Sequence, residues 1–201
     1  LGWNPGTEQE IFSLEELKQC FSSERLNKSP AIFDITKLTW MNGCYIRNLS
    51  AEDFHRLALP YYKDLENKNI DLFFLSKVLQ PRIEVLNQIP EQTDFLAKMP
   101  EYDVSLYENK KMKTNPEIAA KALQIVLPIL ENVTDWTNEN LFNTLKETAV
   151  ANEMKNGQIL YPVRIALSGK ETTPGGATEL AHVLGKAETL LRITEAIKKL
   201  S

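Results

Sequence analysis

Hydrophobic residues recur along this chain at every third or fourth position, which is the spacing of one face of an α-helix. Residues suited to begin a helix precede several of these stripes: Ser13, with Glu16 at the spacing of a capping box, Asp34 and Ser50. We find no stretch of sustained apolar and polar alternation rich in β-branched residues, as a half-buried strand would show. The pattern therefore predicts an all-α fold made of short helices.

The second half of the chain contains the longer predicted helices. Asn115 followed by Pro116 is a strong start, because the asparagine caps the helix and the proline loses no needed hydrogen bond. Thr137 is predicted to begin the next helix, with Gly157 as its C-cap. A last helix is predicted over residues 186–200.

Two interruptions divide the pattern. Pro81 lies within an apolar segment and should end or kink its helix near Leu79, because proline lacks the backbone donor. Residues 100–115 are polar, and we place a boundary there between two regions, 1–99 and 100–201.

Composition limits the function. A net charge of −4 argues against a general polyanion binder but allows a local face that reads exposed bases. Cys20 and Cys44 form no disulfide framework or metal motif, which is typical of a reducing cytosol. No apolar run approaches the ~20 residues of a membrane span. The first residues carry no initiator Met or signal peptide, so we expect a cytoplasmic chain cut from something longer.

Catalytic motifs are missing from the sequence. His55 and His182 are far apart, without the HExxH spacing of a zinc site or a cysteine partner. There is no GxxxxGK[ST] loop to hold nucleotide phosphates. We predict no catalytic residue, no metal site and no cofactor site in this chain.

Two arginines are better candidates for binding. Arg82 and Arg164 each follow a proline closely and lie among hydrophobic residues, so the stem is held while the guanidinium is free to meet a base edge or a phosphate. The alternative is a salt bridge with a carboxylate at a helix end. "TTPGG", which follows Arg164, is alternatively a plain connection between helices.

Five phrases of the sequence resemble, in the same order, the C-terminal portion of bacterial glutamyl-tRNA synthetases, a family of class I aminoacyl-tRNA ligases. They are LGWNPGTEQEIFSLEELKQCF, SPAIFDITKLTWMNGCYIRNLS, LQPRIEVL, YPVRIALSGKETTPGG and HVLGKAETLLRI. The resemblance implies a helical region that contacts the tRNA stem, residues 1–99, and an α-helical cage that binds the anticodon loop, residues 100–201.

The same resemblance implies roles for particular residues. Arg82 would read the third anticodon base and reject glutamine tRNA, and Arg164 would meet the first base. The turn that packs on that first base would consist of Thr173, Pro174, Gly175 and Gly176.

The resemblance also implies what lies outside the chain. The HIGH and KMSKS signatures are absent, so ATP and magnesium would belong to a missing catalytic domain of the parent ligase, and the chain alone would only bind. KKMKT, residues 110–114, is similar to KMSKS but lacks its serine, and we interpret it as a solvated run of charge. We interpret Trp40 as a core residue, with an RNA contact as the alternative.

The expected partner is tRNA of the glutamate isoacceptors, with glutamine tRNA as an open alternative, and the chain is expected to be a monomer away from membranes. A different class of function is a helical protein-interaction adapter without RNA binding, an idea that the acidic pI of about 5.4 motivates.

Overall fold

The computed structural model describes residues 2–27, 32–66 and 68–201, and over these ranges the chain forms nine α-helices. Their bounds are α1 Leu14–Cys20, α2 Ile35–Asn48, α3 Ala51–Ala58, α4 Leu72–Leu79, α5 Ile89–Ala97, α6 Pro116–Asn132, α7 Asn138–Ala151, α8 Asn156–Ser168 and α9 Ala177–Leu200. Short 3-10 helices cover Ser23–Arg25, Leu59–Tyr61, Lys63–Leu65, Leu86–Gln88 and Val104–Tyr107. The described ranges contain isolated β-bridges but no strand, so the all-α prediction is confirmed.

The predicted helix starts are confirmed by their hydrogen bonds. The Ser13 hydroxyl accepts from the Glu16 amide at 3.2 Å, and the Glu16 carboxylate accepts from the Ser13 amide at 2.7 Å, which completes the capping box. Side chains also cap α2, α3, α6 and α7, and they belong to Asp34, Ser50, Asn115 and Thr137. The helix before Pro81 ends at Leu79, as predicted.

The predicted C-cap at Gly157 is wrong, because Gly157 lies in the first turn of α8. Helix α7 ends instead at Ala151, and Glu153, two residues later, has a left-handed φ of 55°. The Glu153 amide donates to Val150 O at 3.1 Å and the Met154 amide to Ala149 O at 2.8 Å, which is the Schellman arrangement. A glutamate therefore occupies the position where glycine is usual.

The end of the chain is a helix with a break. Gly185 has a φ of 75° within α9, so the predicted start at residue 186 marks the second half of a longer element. The carbonyl of Ala181, one turn before the break, accepts from the Trp136 indole at 2.9 Å and from the Thr189 hydroxyl at 3.3 Å. The Thr189 bond therefore connects the two halves of α9 across the break.

The buried hydrophobic core begins at Ile46 and extends to Ala196, with α6, α8 and α9 packed against one another. Helix α1 has no buried residue, and the Trp40 side chain on α2 is 42% exposed, so our interpretation of Trp40 as a core residue is wrong. Residues on both sides of position 100 join this core, Leu96 and Tyr107 among them. The boundary between residues 99 and 100 stays a prediction.

In the described ranges, no helix combines the length and apolar character needed to cross a bilayer. The same residues include no cluster of three or more His, Cys, Asp or Glu side chains arranged to bind a metal ion.

Candidate functional site

Arg164 lies on α8 four residues before its end, and the following turn holds its guanidinium. Its Nη1 donates to Glu171 O at 2.8 Å and to the Thr173 hydroxyl at 3.1 Å. The ring of Tyr161, one turn earlier, lies 5.1 Å from the guanidinium carbon. In the described part of the chain, Nε and Nη2 of Arg164 make no hydrogen bond, so these donors are available to a ligand.

The charge of Arg164 is partly removed from water. Burial lowers the pKa of its guanidinium, while Tyr161 and Glu171 act in the opposite direction. The group remains charged at neutral pH, because an arginine does not lose its proton in proteins. A desolvated cation with free donors gains more from a polar or anionic ligand than an exposed one.

The turn after α8 contains the four predicted contact residues at positions 173–176, and they differ in burial. Thr173 donates its hydroxyl to Gly175 O at 2.7 Å, and both Pro174 and Gly175 are buried. A Cβ on Gly175 would lie 3.1 Å from Cγ1 of Val78 on α4, so this close approach favours glycine. Gly176 is exposed. Thr173, Pro174 and Gly175 therefore shape the turn, and Gly176 presents bare backbone.

Arg82 follows the turn that ends α4, and its guanidinium has protein partners. Nη1 donates to Val78 O at 2.6 Å, and Nη2 lies 3.4 Å from Oε2 of Glu179 on α9. The expectation of a free guanidinium is therefore not met, and the alternative of a carboxylate pair describes Arg82 better. The Arg82 side chain is 43% exposed, so this ion pair contributes only ~0–1 kcal/mol.

A pocket of about 640 Å³ opens between α7, α8 and the start of α9. It is lined by Met112, Asn138, Phe142, Gly157, Leu160, Tyr161, Arg164, Gly176, Ala177, Thr178 and Glu179. We call it the α8–α9 pocket. Its apolar walls with a few polar groups are typical of sites that bind small organic groups.

The α8–α9 pocket brings together two of the predicted residues, Arg164 and Gly176. Arg82 does not line it, but it contacts the wall through Glu179. Oε2 of Glu179 also accepts from the Gly176 amide at 2.7 Å. One carboxylate thus connects Arg82 to the turn that holds Arg164.

Asn138 is a lining residue that the sequence did not point to. Its Oδ1 is buried and has no hydrogen-bond partner among the described residues. A buried unpaired acceptor is costly, and the residue that carries this one lines the pocket. Sequence reasoning missed Asn138 because an asparagine in the first turn of a helix resembles an ordinary start signal. Glu179 gave a signal, since it follows Gly176 at the spacing of a capping box.

Comparison with known proteins agrees with this geometry. Residues 53–197 match the anticodon binding domain family. The chain belongs to this family. Membership implies tRNA binding, and the α8–α9 pocket lies within the matched residues.

Curated relatives of this anticodon-binding chain are longer proteins. It is 52% identical over 200 residues to the glutamate–tRNA ligase of Clostridium tetani and 49% identical over 200 residues to that of Clostridium kluyveri. Each match covers 100% of this chain and 41% of the relative. The chain therefore spans about two fifths of the length of these curated relatives.

Solved structures show the same fold. A glutamate tRNA ligase from Elizabethkingia meningosepticum matches with a TM-score of 0.85 at 24% identity, covering 100% of this chain and 39% of that one. A glutamate-tRNA synthetase from Elizabethkingia anophelis matches with a TM-score of 0.82 at 23% identity, covering 98% and 38%. At these identities the likeness concerns the fold alone.

Proposed function

We propose that this chain is the C-terminal, tRNA-binding part of a glutamate–tRNA ligase, and that it reads the anticodon of glutamate tRNA. The observation that carries the proposal is the α8–α9 pocket of an anticodon-binding domain, with Arg164 held at its wall. Identity of 52% to a protein of that name over the whole chain supports the choice of glutamate. ATP and magnesium would be bound by the catalytic part, outside this chain.

Arg164 meets the first anticodon base in this proposal. Its bonds to Glu171 O and Thr173 fix the guanidinium, so little conformational freedom is lost when a base arrives. The free donors can bond acceptors on an unstacked base, while Gly176 lets the base approach the backbone closely. A hydrophobic side chain at position 164 could stack on the base but could not donate to it.

Arg82 reads the third anticodon base and favours glutamate tRNA over glutamine tRNA. To do so it exchanges a long ion pair with Glu179 for a shorter contact with the base. The exchange costs little because the pair is exposed, and Glu179 keeps its bond to the Gly176 amide. Apart from Arg82, residues 1–99 contact the tRNA stem, and residues 100–201 contact the anticodon loop. The parent enzyme acts as a cytoplasmic monomer.

The adapter alternative receives no support from the comparisons. The adapter was considered because the composition is acidic. A net charge of −4 is nevertheless compatible with a small basic and aromatic face. Family membership over residues 53–197 favours RNA binding instead.

The test compares Arg82→Ala and Arg164→Ala in gel-shift titrations with glutamate tRNA and glutamine tRNA. Each variant should bind glutamate tRNA about 5–150-fold more weakly, the equivalent of ~1–3 kcal/mol for a lost base contact. Arg82→Ala should also reduce the difference in affinity between glutamate tRNA and glutamine tRNA. Arg56→Ala, an exposed arginine of α3 paired with Asp53, is the matched control.

Two outcomes would count against the proposal in different ways. Unchanged affinity of both arginine variants for both tRNAs would refute the assigned roles. Failure of the wild-type chain to bind tRNA even at low salt would favour the adapter, because electrostatic attraction to RNA is strongest there.

A further inference from the structure

Two lysines lie where a tight turn meets the start of α8. Residues 109–114 form that turn, closed by paired backbone bonds between Asn109 and Thr114 at 3.0 and 3.1 Å. Lys113 has a φ of 57° there, and its carbonyl accepts from the Gln158 side chain at 3.1 Å. Lys155 is the residue before α8. The turn and the helix start are therefore tied together by a hydrogen bond.

Lys113 and Lys155 lie on the two segments that this hydrogen bond joins, and their like charges repel. Lys113 lowers the pKa of Lys155, because the Lys113 ammonium can donate to the neutral amine of Lys155 and its charge repels the charged form. Among the residues the structure describes, neither lysine forms an ion pair, in a chain with 27 acidic and 23 basic residues. A pair of exposed cations without a carboxylate between them favours an external anion.

The lysine pair borders the α8–α9 pocket. Met112 precedes Lys113 and Gly157 follows two residues after Lys155, and both Met112 and Gly157 line the pocket. These two lining residues touch, since a Cβ on Gly157 would lie 3.0 Å from the Met112 sulfur. The first turn of α8 also tolerates negative charge, because its backbone amides point outward from the helix start. The cations thus lie at the mouth of a site suited to a base.

We propose that Lys113 and Lys155 together bind a phosphodiester group of the RNA strand whose base enters the α8–α9 pocket. This inference rests on the proposed function and adds a backbone contact to it. A phosphate on the strand needs positive charge but carries no base identity, so the pair strengthens binding and fixes the strand without selecting a sequence. Selection remains with Arg164 and the pocket.

The charge test uses an anticodon stem-loop RNA of glutamate tRNA and the double variant Lys113→Gln/Lys155→Gln. We expect about tenfold weaker binding near 0.1 M salt, and a slope of log K against log salt reduced by about 0.7–1.4. Stem-loops with matched and mismatched anticodons should lose affinity by the same factor. The control is Lys121→Gln/Lys146→Gln, which removes two exposed lysines of α6 and α7 and should change affinity less than twofold. Thermal unfolding of wild type and the two double variants checks that all three proteins fold equally.

The phosphate itself is identified with neutral backbone analogues. Methylphosphonates replace the phosphates of the seven-nucleotide loop one at a time. At one or two positions the replacement should weaken the wild-type complex several-fold and leave the complex of the double lysine variant unchanged. Inorganic phosphate alone is titrated in parallel, and saturation at low millimolar concentration with no such coupled position would indicate a free-anion site instead.

The outcomes separate this inference from the proposed function. If wild-type chain binds the stem-loop, and Arg164→Ala weakens it while the lysine variant matches wild type, the lysine inference alone is overturned. If wild-type chain does not bind the stem-loop, both fail. If the lysine variant loses affinity only for the matched anticodon, the pair selects sequence and the backbone contact is the wrong description.

Discussion

Nη2 of Arg82 lies 3.4 Å from Oε2 of Glu179, and the same oxygen accepts from the Gly176 amide at 2.7 Å. One carboxylate is therefore both the cap of α9 and the counterion of Arg82. The amide bond is the shorter of the two, so Glu179 stays satisfied when Arg82 leaves it. Arg82 is held near the α8–α9 pocket by an interaction that a ligand can replace.

Glu179→Gln should strengthen binding to glutamate tRNA about threefold, equivalent to ~0.65 kcal/mol, because it removes a negative charge and releases Arg82. Glutamine also serves at the third position of a capping box, so the free energy of unfolding should change by less than about 0.5 kcal/mol. Gel-shift titration and urea unfolding give the two numbers. Glu139→Gln, in the first turn of α7, is the charge-matched control. Unaltered or weaker binding of Glu179→Gln would contradict a restraining role for this carboxylate.

Asn138→Leu should change stability and binding in opposite directions. Removal of an unpaired buried oxygen should leave the free energy of unfolding equal to wild type or higher, since no bond is lost. Affinity for the matched stem-loop should fall by ~1 kcal/mol, about fivefold, because leucine removes the polar amide from a residue that lines the α8–α9 pocket. Urea unfolding and gel-shift titration measure the two effects. Asn143→Leu, also on α7, is the control for apolar substitution. Equal affinity of Asn138→Leu and wild type would mean that Oδ1 has no ligand partner.

Sequence predicted the local features of this molecule better than the long-range ones. Helix starts depend on residues within one turn of each other, as in the capping box of Ser13 and Glu16, and a sequence displays such pairs directly. Pocket walls depend on segments that meet only after folding. Asn138 and Arg164 are separated by 26 positions, and no spacing rule connects them.

Two further features had no usable signal. Glu153, just after α7, has a left-handed conformation that its residue type disfavours. Because glycine is the usual residue at such a position, the sequence indicated Gly157 instead. The Glu179 carboxylate near Arg82 comes from α9, 97 positions along the chain. A pattern can indicate that an arginine is held, but its partner depends on how α4 and α9 pack.

Arg192 should be the most damaging arginine to truncate, although it is not a binding residue. Its side chain is 4% exposed, and Nη1 donates to Phe95 O at 2.9 Å and to Leu167 O at 2.7 Å. These bonds join α5, α8 and α9, and Nε also pairs with Glu188 at 2.7 Å. We expect Arg192→Leu to lower the free energy of unfolding by about 3–5 kcal/mol, because two buried carbonyls lose their donor at ~1–3 kcal/mol each. The loss of the ion pair adds little, since the Glu188 side chain is 42% exposed.

Urea unfolding measures the decrease in the free energy of unfolding that Arg192→Leu causes. Arg192→Lys should recover only part of it, since one ammonium cannot reproduce the planar fork. Arg56→Leu on the exposed face of α3 should cost less than about 0.5 kcal/mol. A loss in Arg192→Leu as small as that of Arg56→Leu would show that the three carbonyl and carboxylate contacts contribute nothing to stability.

Glu153→Gly should stabilise the protein. A left-handed residue other than glycine costs ~1–2 kcal/mol. In the described part of the chain, the exposed Glu153 side chain has no hydrogen bond or ion pair to offset this cost. Glycine adds unfolded-state entropy worth about 0.4–1 kcal/mol, so the net gain in the free energy of unfolding is about 0.5–1 kcal/mol. That gain corresponds to a rise in the melting temperature of roughly 1–4 °C for a chain of this size.

The control for this substitution is Glu147→Gly, at an exposed position inside α7, which should lower stability by ~1 kcal/mol. The opposite signs separate the special backbone of position 153 from the general effect of adding glycine. Binding to the stem-loop should be the same in both variants, because neither residue lines the α8–α9 pocket. If both substitutions destabilise equally, the left-handed turn at Glu153 does not carry the strain that its φ of 55° indicates.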